Sequence, residues 1–283
     1  ELLDTLFAEQ LALIDRDPAR ALSDAKVEQV LGETGARVTV DGRTMLMEGT
    51  LPLRTPDEEG EKRKVDLDLV PSEGGFAPAN PLVELALPGS SSEPISLGDD
   101  GLAVALVLTE PPSEARLLGG EDVLYHETQE DTDTIAALLG TGVELFSLLR
   151  STESPERLRF ELTLPAGAEL APDERGGLEI RRDGKQLARI PAPLAFDAQG
   201  TEVPVQVRAE GSELAFEVPH RGMDLSYPIL LDPAILEDWY SSGNEWLHGH
   251  NLGALSYWSP ATNDPGRFTT KTEPINWAPG FYN

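Results

Sequence analysis

ArgLeuArgPheGluLeuThrLeu, residues 157–164, places an apolar side chain at every second position. Side chains alternate between the two faces of a β-strand, so this stretch predicts a strand with one buried face. Comparable stretches recur along the chain, separated by Gly, Pro, Asn and Asp. They are residues 37–41, 45–48, 64–70, 83–87, 102–108, 178–182, 186–190, 203–209 and 213–218. Short strands at this spacing predict a mainly β chain with one or two antiparallel β-sandwich-like modules.

The same alternation predicts which side chains form the core. We expect ten of them to be buried: Leu158, Phe160, Leu162, Leu164, Ile180, Ile190, Val205, Val207, Phe216 and Val218. Asp41-Gly42 lies between two predicted strands and predicts a hairpin turn. Asp197 to Gly200 predicts a second turn of the chain.

Two kinds of segment interrupt the alternating pattern. Polar residues at 55–64, 88–100 and 110–121 predict loops. Residues 133–150 fit both a helix, through ThrIleAlaAlaLeuLeu, and a strand, through ValGluLeuPheSerLeuLeuArg. The sequence alone leaves those two alternatives open.

The N-terminal residues have a helical rather than a strand period. Leu2, Leu3, Leu6, Phe7, Leu11 and Ile14 recur at three and four residues. Asp17-Pro18 ends this stretch and begins a second one, which continues through Val27 and Val30 to Gly32. We therefore predict a helical hairpin over residues 1–34 that serves as a docking or linker element.

The composition changes again near residue 235. All four tryptophans lie after it, and residues 236–283 carry only −3 of the net charge of −28. We predict four parts: the helical segment 1–34, a β module 35–120, a β-sandwich-like module 121–235, and the aromatic-rich start of a further β module or docking tail at 236–283.

Charge and cysteine content exclude several classes of function. A net charge of −28 over 283 residues repels nucleic acid and anionic membrane surfaces, so we expect neither as a partner. The chain has no cysteine, which excludes disulfides and thiolate metal sites. No stretch is long and apolar enough to span a bilayer, so we expect no membrane insertion.

The aromatic tail provides the first candidate site. Trp and Tyr rings stack on sugars and also fill small β cores, so a glycan platform and a buried core are both open interpretations. The candidate ligand or docking residues are Trp239, Tyr240, Trp246, Tyr257, Trp258 and Trp277.

Metal binding and catalysis have little support in the sequence. His248 and His250 lie two residues apart and could ligate a metal from one strand face, but no third ligand stands at a diagnostic distance. Acidic runs at 57–61, 99–100 and 130–133 are short enough to hold calcium, yet none has the twelve-residue loop pattern. We predict that these runs are solvated, that there is no cofactor and no catalytic site, and we keep calcium binding and an acidic-residue hydrolase as alternatives.

Several phrases between residues 120 and 233 resemble the N-terminal region of large secreted RHS/YD-repeat proteins of high-GC Gram-positive bacteria. They are AspValLeuTyr at 122–125, AspThrAsp at 131–133, GlyValGluLeu at 142–145, LeuArgSerThrGluSerPro at 149–155, the stretch 159–170, the stretch 188–200, and TyrProIleLeuLeuAspPro at 227–233. Residues 36–109 are similar more loosely. The YD-type repeats and the autoproteolytic aspartate motif of that family do not occur in this chain.

This resemblance implies a non-catalytic structural or presenting module of a secreted, cell-surface or polymorphic-toxin protein. Its partner would be the remainder of the same polypeptide, a β-cocoon and a C-terminal toxin, either in one continuous chain or with this part as a cleaved fragment. The alternative is a carbohydrate-binding or adhesive module that binds a surface glycan through the aromatic tail.

Overall fold

The computed structural model describes residues 26–31, 35–40, 43–48, 51–56, 60–98, 101–118, 120, 122–237 and 256–258. The described secondary structure consists of β-strands, and every pairing between them is antiparallel. The chain divides into two compact units. One comprises Glu1–Leu11 and Asp66–Asp238, and the other comprises Ala12–Val65 and Trp239–Asn283.

The unit formed by Ala12–Val65 and Trp239–Asn283 contains two small sheets. Its strands are β1 (Lys26–Leu31), β2 (Gly35–Val40), β3 (Arg43–Glu48), β4 (Arg54–Pro56), β5 (Lys62–Lys64) and β24 (Ser256–Trp258). The four-stranded sheet has the order β1-β2-β3-β24, and β4 pairs with β5. A strand that follows residue 237 therefore pairs with one that precedes residue 66.

The larger unit contains the remaining strands in two sheets. The first has eight strands in the order β20-β21-β15-β10-β9-β8-β7-β6. These strands are β6 (Asp66–Ser72), β7 (Gly75–Asn80), β8 (Leu85–Pro88), β9 (Ile95–Leu97), β10 (Leu102–Leu106), β15 (Arg157–Thr163), β20 (Gln206–Glu210) and β21 (Glu213–Glu217).

The second sheet has ten strands, and its main path is β11-β12-β13-β14-β23-β18-β17-β16, with β22 pairing with β14 and β19. These strands are β11 (Arg116–Leu118), β12 (Asp122–Gln129), β13 (Thr132–Leu139), β14 (Gly142–Leu149), β16 (Glu169–Pro172), β17 (Leu178–Arg182), β18 (Lys185–Ile190), β19 (Leu194–Phe196), β22 (Ile229–Asp232) and β23 (Ala234–Glu237).

β14 is the strand at which this sheet divides. Ser147–Leu149 pairs with β22, whereas Gly142–Glu144 pairs with β23. Between the two pairings, the Leu145 amide donates a hydrogen bond to the carbonyl of Pro233 at 2.7 Å. The approach is so close that a Cβ on Gly142 would lie 2.0 Å from the Ile235 carbonyl oxygen. Only glycine fits at that position.

The two sheets bury their strands differently. In β15, Leu158, Phe160 and Leu162 are buried and alternate with more exposed residues, as expected for a strand with one solvated face. In β14 all eight residues are buried, so both of its faces are covered. The sheets meet where the Tyr125 hydroxyl donates to the Pro88 carbonyl at 2.9 Å.

The predicted mainly β class and its antiparallel strands are confirmed. Seven of the ten predicted core side chains are buried, and Leu164, Val205 and Val207 are half-buried. β2 and β3, the strands on either side of Asp41-Gly42, pair antiparallel, and the two predicted turn residues lie outside the described residues. Residues 133–150, which fitted two alternatives, form strands β13 and β14.

Three predictions need correction or fall outside the description. Residues 26–31 were expected to be helical, but they form β1, because pairing with β2 outweighs the three-residue spacing of Val27 and Val30. Residues 1–25 of the predicted hairpin lie outside the described residues. The predicted loops contain short strands, among them β5, β9 and β11.

Phe160 provides a test of the core. Its ring lies edge-on to Phe216 with centroids 5.5 Å apart. We expect Phe160→Ala to lower the free energy of unfolding by about 3–5 kcal/mol, because it removes a buried ring. Val70→Ala is the matched control, since Val70 is 43% exposed, and it should cost no more than about 0.5 kcal/mol. Equal urea midpoints for the two variants would contradict the described core.

Candidate functional site

A polar cluster in the described residues joins four segments of the larger unit that lie at strand ends or between strands. We call it the loop network. Its segments are residues 126–133, 150–156, 197–201 and 219–228. Each segment follows or joins strands of the sheets, so the strands fix the positions of the polar side chains.

Arg150 forms the first half of the loop network. It follows β14 directly, and its guanidinium lies 2.7 Å from a Glu127 oxygen, 3.1 Å from an Asp131 oxygen and 3.8 Å from an Asp133 oxygen. The hydrogen bond from Arg150 lowers the pKa of Glu127. Asp133 also lies 2.7 Å from Nδ1 of His126. The arrangement places one cation among three carboxylates.

Asp131 connects this turn to the next segment. Its carboxylate accepts a hydrogen bond from the Ser151 hydroxyl, and its backbone carbonyl accepts one from the Ser154 hydroxyl at 2.7 Å. Asp131 and Glu127 both have positive φ, 48° and 46°, which is unfavourable for residues with a Cβ. The Asp133 carboxylate accepts the Glu127 amide at 2.8 Å and helps to hold that backbone.

Arg221 connects the segment 150–156 to the segment 219–228. Its guanidinium donates to the carbonyls of Thr152, Glu153 and Ser154 at 3.0, 3.3 and 2.9 Å. The Arg221 amide donates to the Glu156 carboxylate at 2.9 Å. One side chain thus satisfies three carbonyls of a segment that is not in a sheet.

Asp197 connects two further segments. Its side chain accepts the amides of Gln199, Thr201 and Ser226 at 2.9, 2.7 and 2.9 Å. Burial raises the pKa of this carboxyl, but the three amide hydrogen bonds outweigh it, and the pKa lies below its ordinary value. Asp197 therefore remains a charged acceptor inside the loop network.

His220 is the most deeply buried titratable group of the loop network, with 1% of its surface exposed. Its Nδ1 lies 2.5 Å from the Tyr227 hydroxyl, and the two rings meet edge to face. Burial lowers the pKa of His220, although the nearby Glu156 carboxylate opposes that effect. Tyr227 precedes Pro228 through a cis peptide bond.

A second polar set lies within the ten-stranded sheet. Glu144, Arg189 and Asp232 are buried, and the strand register places all three on the same face. Sequence reasoning did not single them out. Two of them are acids among fifty, and only the pairing of β14, β18, β22 and β23 reveals that they share a face.

Few of the sequence candidates lie in the described residues. Tyr257 and Trp258 belong to β24, which pairs with β3. Trp239, Tyr240, Trp246, Trp277, His248 and His250 lie outside the described residues, so the glycan and histidine-metal interpretations stay predictions. Of the acidic runs, residues 130–133 are described, and Asp131 and Asp133 pair with Arg150 instead of being fully solvated.

The described residues contain neither a metal-ligand cluster nor a membrane-spanning helix. Among the described residues, no three His, Asp or Glu side chains are grouped so that they could hold a metal ion. Within those ranges the structure contains no helix with the length and hydropathy needed to cross a membrane.

Comparison with known proteins gives no assignment. No protein-family model matches the chain. No curated protein is significantly similar to it in sequence. The loop network is therefore interpreted from its own geometry.

Replacing Asp197 tests whether the loop network stabilises the larger unit. Asp197→Ala leaves three amides without their acceptor, so we expect a loss of about 2–4 kcal/mol in the free energy of unfolding. Hydrogen exchange at the amides of Gln199, Thr201 and Ser226 should accelerate. Asp224→Ala, an exposed neighbour, should change stability by no more than about 0.5 kcal/mol. Unchanged exchange at Ser226 would refute the assigned role of Asp197.

The buried histidine predicts a pH dependence. Its pKa in the folded chain lies below the ordinary 6.5, so the unfolded chain binds the proton more readily and stability decreases as the pH falls below about 6.5. The Tyr227 hydroxyl forms a hydrogen bond with the His220 ring. The charged groups that affect the pKa of His220 are Glu156, which raises it, and Arg221, which lowers it. His220→Gln should flatten this part of the pH profile of the urea midpoint. Tyr227→Phe keeps the imidazole and should keep the slope, so a flat profile in that variant would argue against His220 as its source.

Proposed function

We propose that this chain is a non-catalytic structural module of a larger secreted protein of the RHS/YD-repeat kind. Its role is to fold as a rigid β assembly and to associate with the rest of the same polypeptide. The sequence phrases that resemble that family support this role, because their described residues form the framework of the larger unit.

The main observation in favour of this proposal is that these sequence phrases contact one another in the structure. AspThrAsp at 131–133 lies at the start of β13 and LeuArgSerThrGluSerPro at 149–155 lies at the end of the paired strand β14, and Asp131 accepts hydrogen bonds from Ser151 and Ser154. Arg150, in the second phrase, pairs with both aspartates of the first. The side chains of one phrase thus hold the backbone of another.

Two further phrases are connected in the same way. Asp197, in the phrase 188–200, accepts the amide of Ser226, which directly precedes TyrProIleLeuLeuAspPro at 227–233. The last phrase contributes β22, which pairs with β14 and β19. Hydrogen bonds from polar side chains to the backbone of another segment hold that segment in place, and they favour the scaffold interpretation over a catalytic one.

The way in which the two large sheets pack is a further part of this proposal. We infer that the eight-stranded and ten-stranded sheets pack face to face as a β-sandwich, on the basis of the Tyr125 to Pro88 hydrogen bond and the one-sided burial of β15. The charge of −28 suits a solvated extracellular surface. We also keep the helical interpretation of residues 1–25 as a proposal.

The association is tested on the product of the native producer. Antibodies against residues 66–238 should detect this chain, after gentle size-exclusion chromatography of the secreted fraction, in a particle much larger than its own 30.6 kDa. Mass spectrometry should find a second, larger segment of the same polypeptide in that fraction. Denaturing electrophoresis then distinguishes a continuous polypeptide from a cleaved fragment that stays bound.

A control separates this association from general adhesion. The isolated chain, added to culture medium of a strain lacking the native gene, should elute at its own size. The proposal fails if the native chain elutes alone, or if it elutes with an unrelated protein or glycan instead of its own polypeptide.

A further inference from the structure

The two histidines of the described residues both lie in the loop network, but in opposite environments. His126 is exposed, and its Nδ1 lies 2.7 Å from an Asp133 oxygen, so a positive charge on it is solvated and paired with a carboxylate. His220 is buried, although residues 221–224, which follow it, are exposed. A buried imidazole thus begins an exposed turn, which we call the 219–225 turn.

The surroundings of His220 suit a neutral ring. Its Nδ1 forms a hydrogen bond with the Tyr227 hydroxyl, which can serve as donor or acceptor. Its Nε2 is buried and forms no hydrogen bond within the part of the chain that the structure describes. A neutral imidazole has one N–H group, which Tyr227 can accept, whereas an imidazolium has two. Protonation therefore leaves a charged N–H group buried without an acceptor, which costs more free energy than an uncharged one.

The groups around the ring offset only part of this cost. The Glu156 carboxylate and the carbonyls of Ser154 and Pro155 raise the pKa of His220, and Arg221 lowers it. Burial has the largest effect, and the pKa lies below its ordinary value. A conformation in which the 219–225 turn is open and the ring is solvated therefore binds the proton more readily than the closed turn does.

The contacts beside His220 show what would open with it. The Arg221 guanidinium donates to the carbonyls of residues 152–154, and the Arg221 amide donates to the Glu156 carboxylate at 2.9 Å. The Met223 amide donates to the His220 carbonyl at 3.4 Å. These contacts hold the 219–225 turn against the segment 150–156, and all of them involve His220 or the three residues that follow it.

The far end of the turn is held independently of His220. The Ser226 amide donates to the Asp197 carboxylate at 2.9 Å. The pKa of Asp197 lies below its ordinary value, so this carboxylate stays charged at pH 5.5. The turn thus has one end that responds to a histidine and one end that stays attached.

We propose that His220 is a pH-sensitive latch, whose protonation releases the 219–225 turn from the segment 150–156 while the sheets stay folded. The released turn remains attached at Ser226, and its opening exposes the Glu156 carboxylate and the carbonyls that Arg221 binds. This inference does not depend on the proposed function. It is distinct from the loss of overall stability at low pH, because it assigns the first effect of acid to one turn.

Hydrogen exchange of the natural chain at pH 7.5 and pH 5.5 tests the latch, with rates corrected for the intrinsic effect of pH. Ordinary carboxylates stay charged in this range, so a response indicates a histidine. The protection of the Arg221 and Met223 amides should fall by about five- to tenfold, since a solvated histidine at pH 5.5 is about ten times more often protonated than neutral. The Leu145 amide, bonded to the Pro233 carbonyl in the ten-stranded sheet, should keep its protection.

Histidine variants identify the source of the response. His220→Gln keeps a hydrogen-bonding side chain that cannot be charged, so the two turn amides should have equal protection at both pH values. His126→Gln is the matched control, because it removes the exposed histidine of the same loop network and should leave the response unchanged. Tyr227→Phe keeps the imidazole and should keep the response, and this measurement does not depend on whether His220→Gln folds.

Four results would overturn the proposal. Unchanged protection of the Arg221 and Met223 amides in the natural chain would show that the turn does not open. An equal loss of protection at Leu145 would show that acid unfolds the sheet together with the turn. Loss of the response in His126→Gln, or its persistence in His220→Gln, would assign the response to another group.

Discussion

The structure depends on the burial of β14 on both faces. Its eight residues exchange hydrogen bonds with β13 on one side and with β22 and β23 on the other, so the strand has no free edge. A backbone in that position cannot be solvated, and its amides and carbonyls must find partners within the sheet. The exclusion of any side chain at Gly142 follows from the same constraint, because β23 crosses there. The other strands of this sheet are arranged around that requirement.

The loop network satisfies backbone groups beyond the ends of the strands, as the sheet does for β14. Strand ladders satisfy the backbone only as far as the strands extend, and the segments beyond them need other partners. Arg221 supplies donors to three successive carbonyls, and Asp197 supplies acceptors to three amides. Charged groups are effective in this role because hydrogen bonds to them are stronger than those between neutral groups. The cost is a buried imidazole at His220, whose charged form is disfavoured.

What the sequence predicted follows from how each strand is buried. β15 has one buried face, so its alternation was evident, and Leu158, Phe160 and Leu162 were predicted correctly. In β14 both faces are buried, so alternation disappears and a helix fits equally well. In β1 the pairing with β2 determines the conformation, so the helical spacing of its apolar residues gave a wrong prediction. The turn at Asp197 was recognised from its residues, with Gly200 at a φ of 81°, but its contact with Ser226 depends on the fold.

The acidic residues of this chain could serve a binding or catalytic site or could serve the structure itself, and the positions of the charges bear on that choice. A binding or catalytic site concentrates uncompensated charge where a ligand can reach it, whereas the loop network combines its carboxylates with Arg150, Arg221 and backbone amides. Such carboxylates are already satisfied by the protein and leave little for a ligand. The loop network thus uses its polar residues to determine which segments of the larger unit meet, and this supports the scaffold role that we propose.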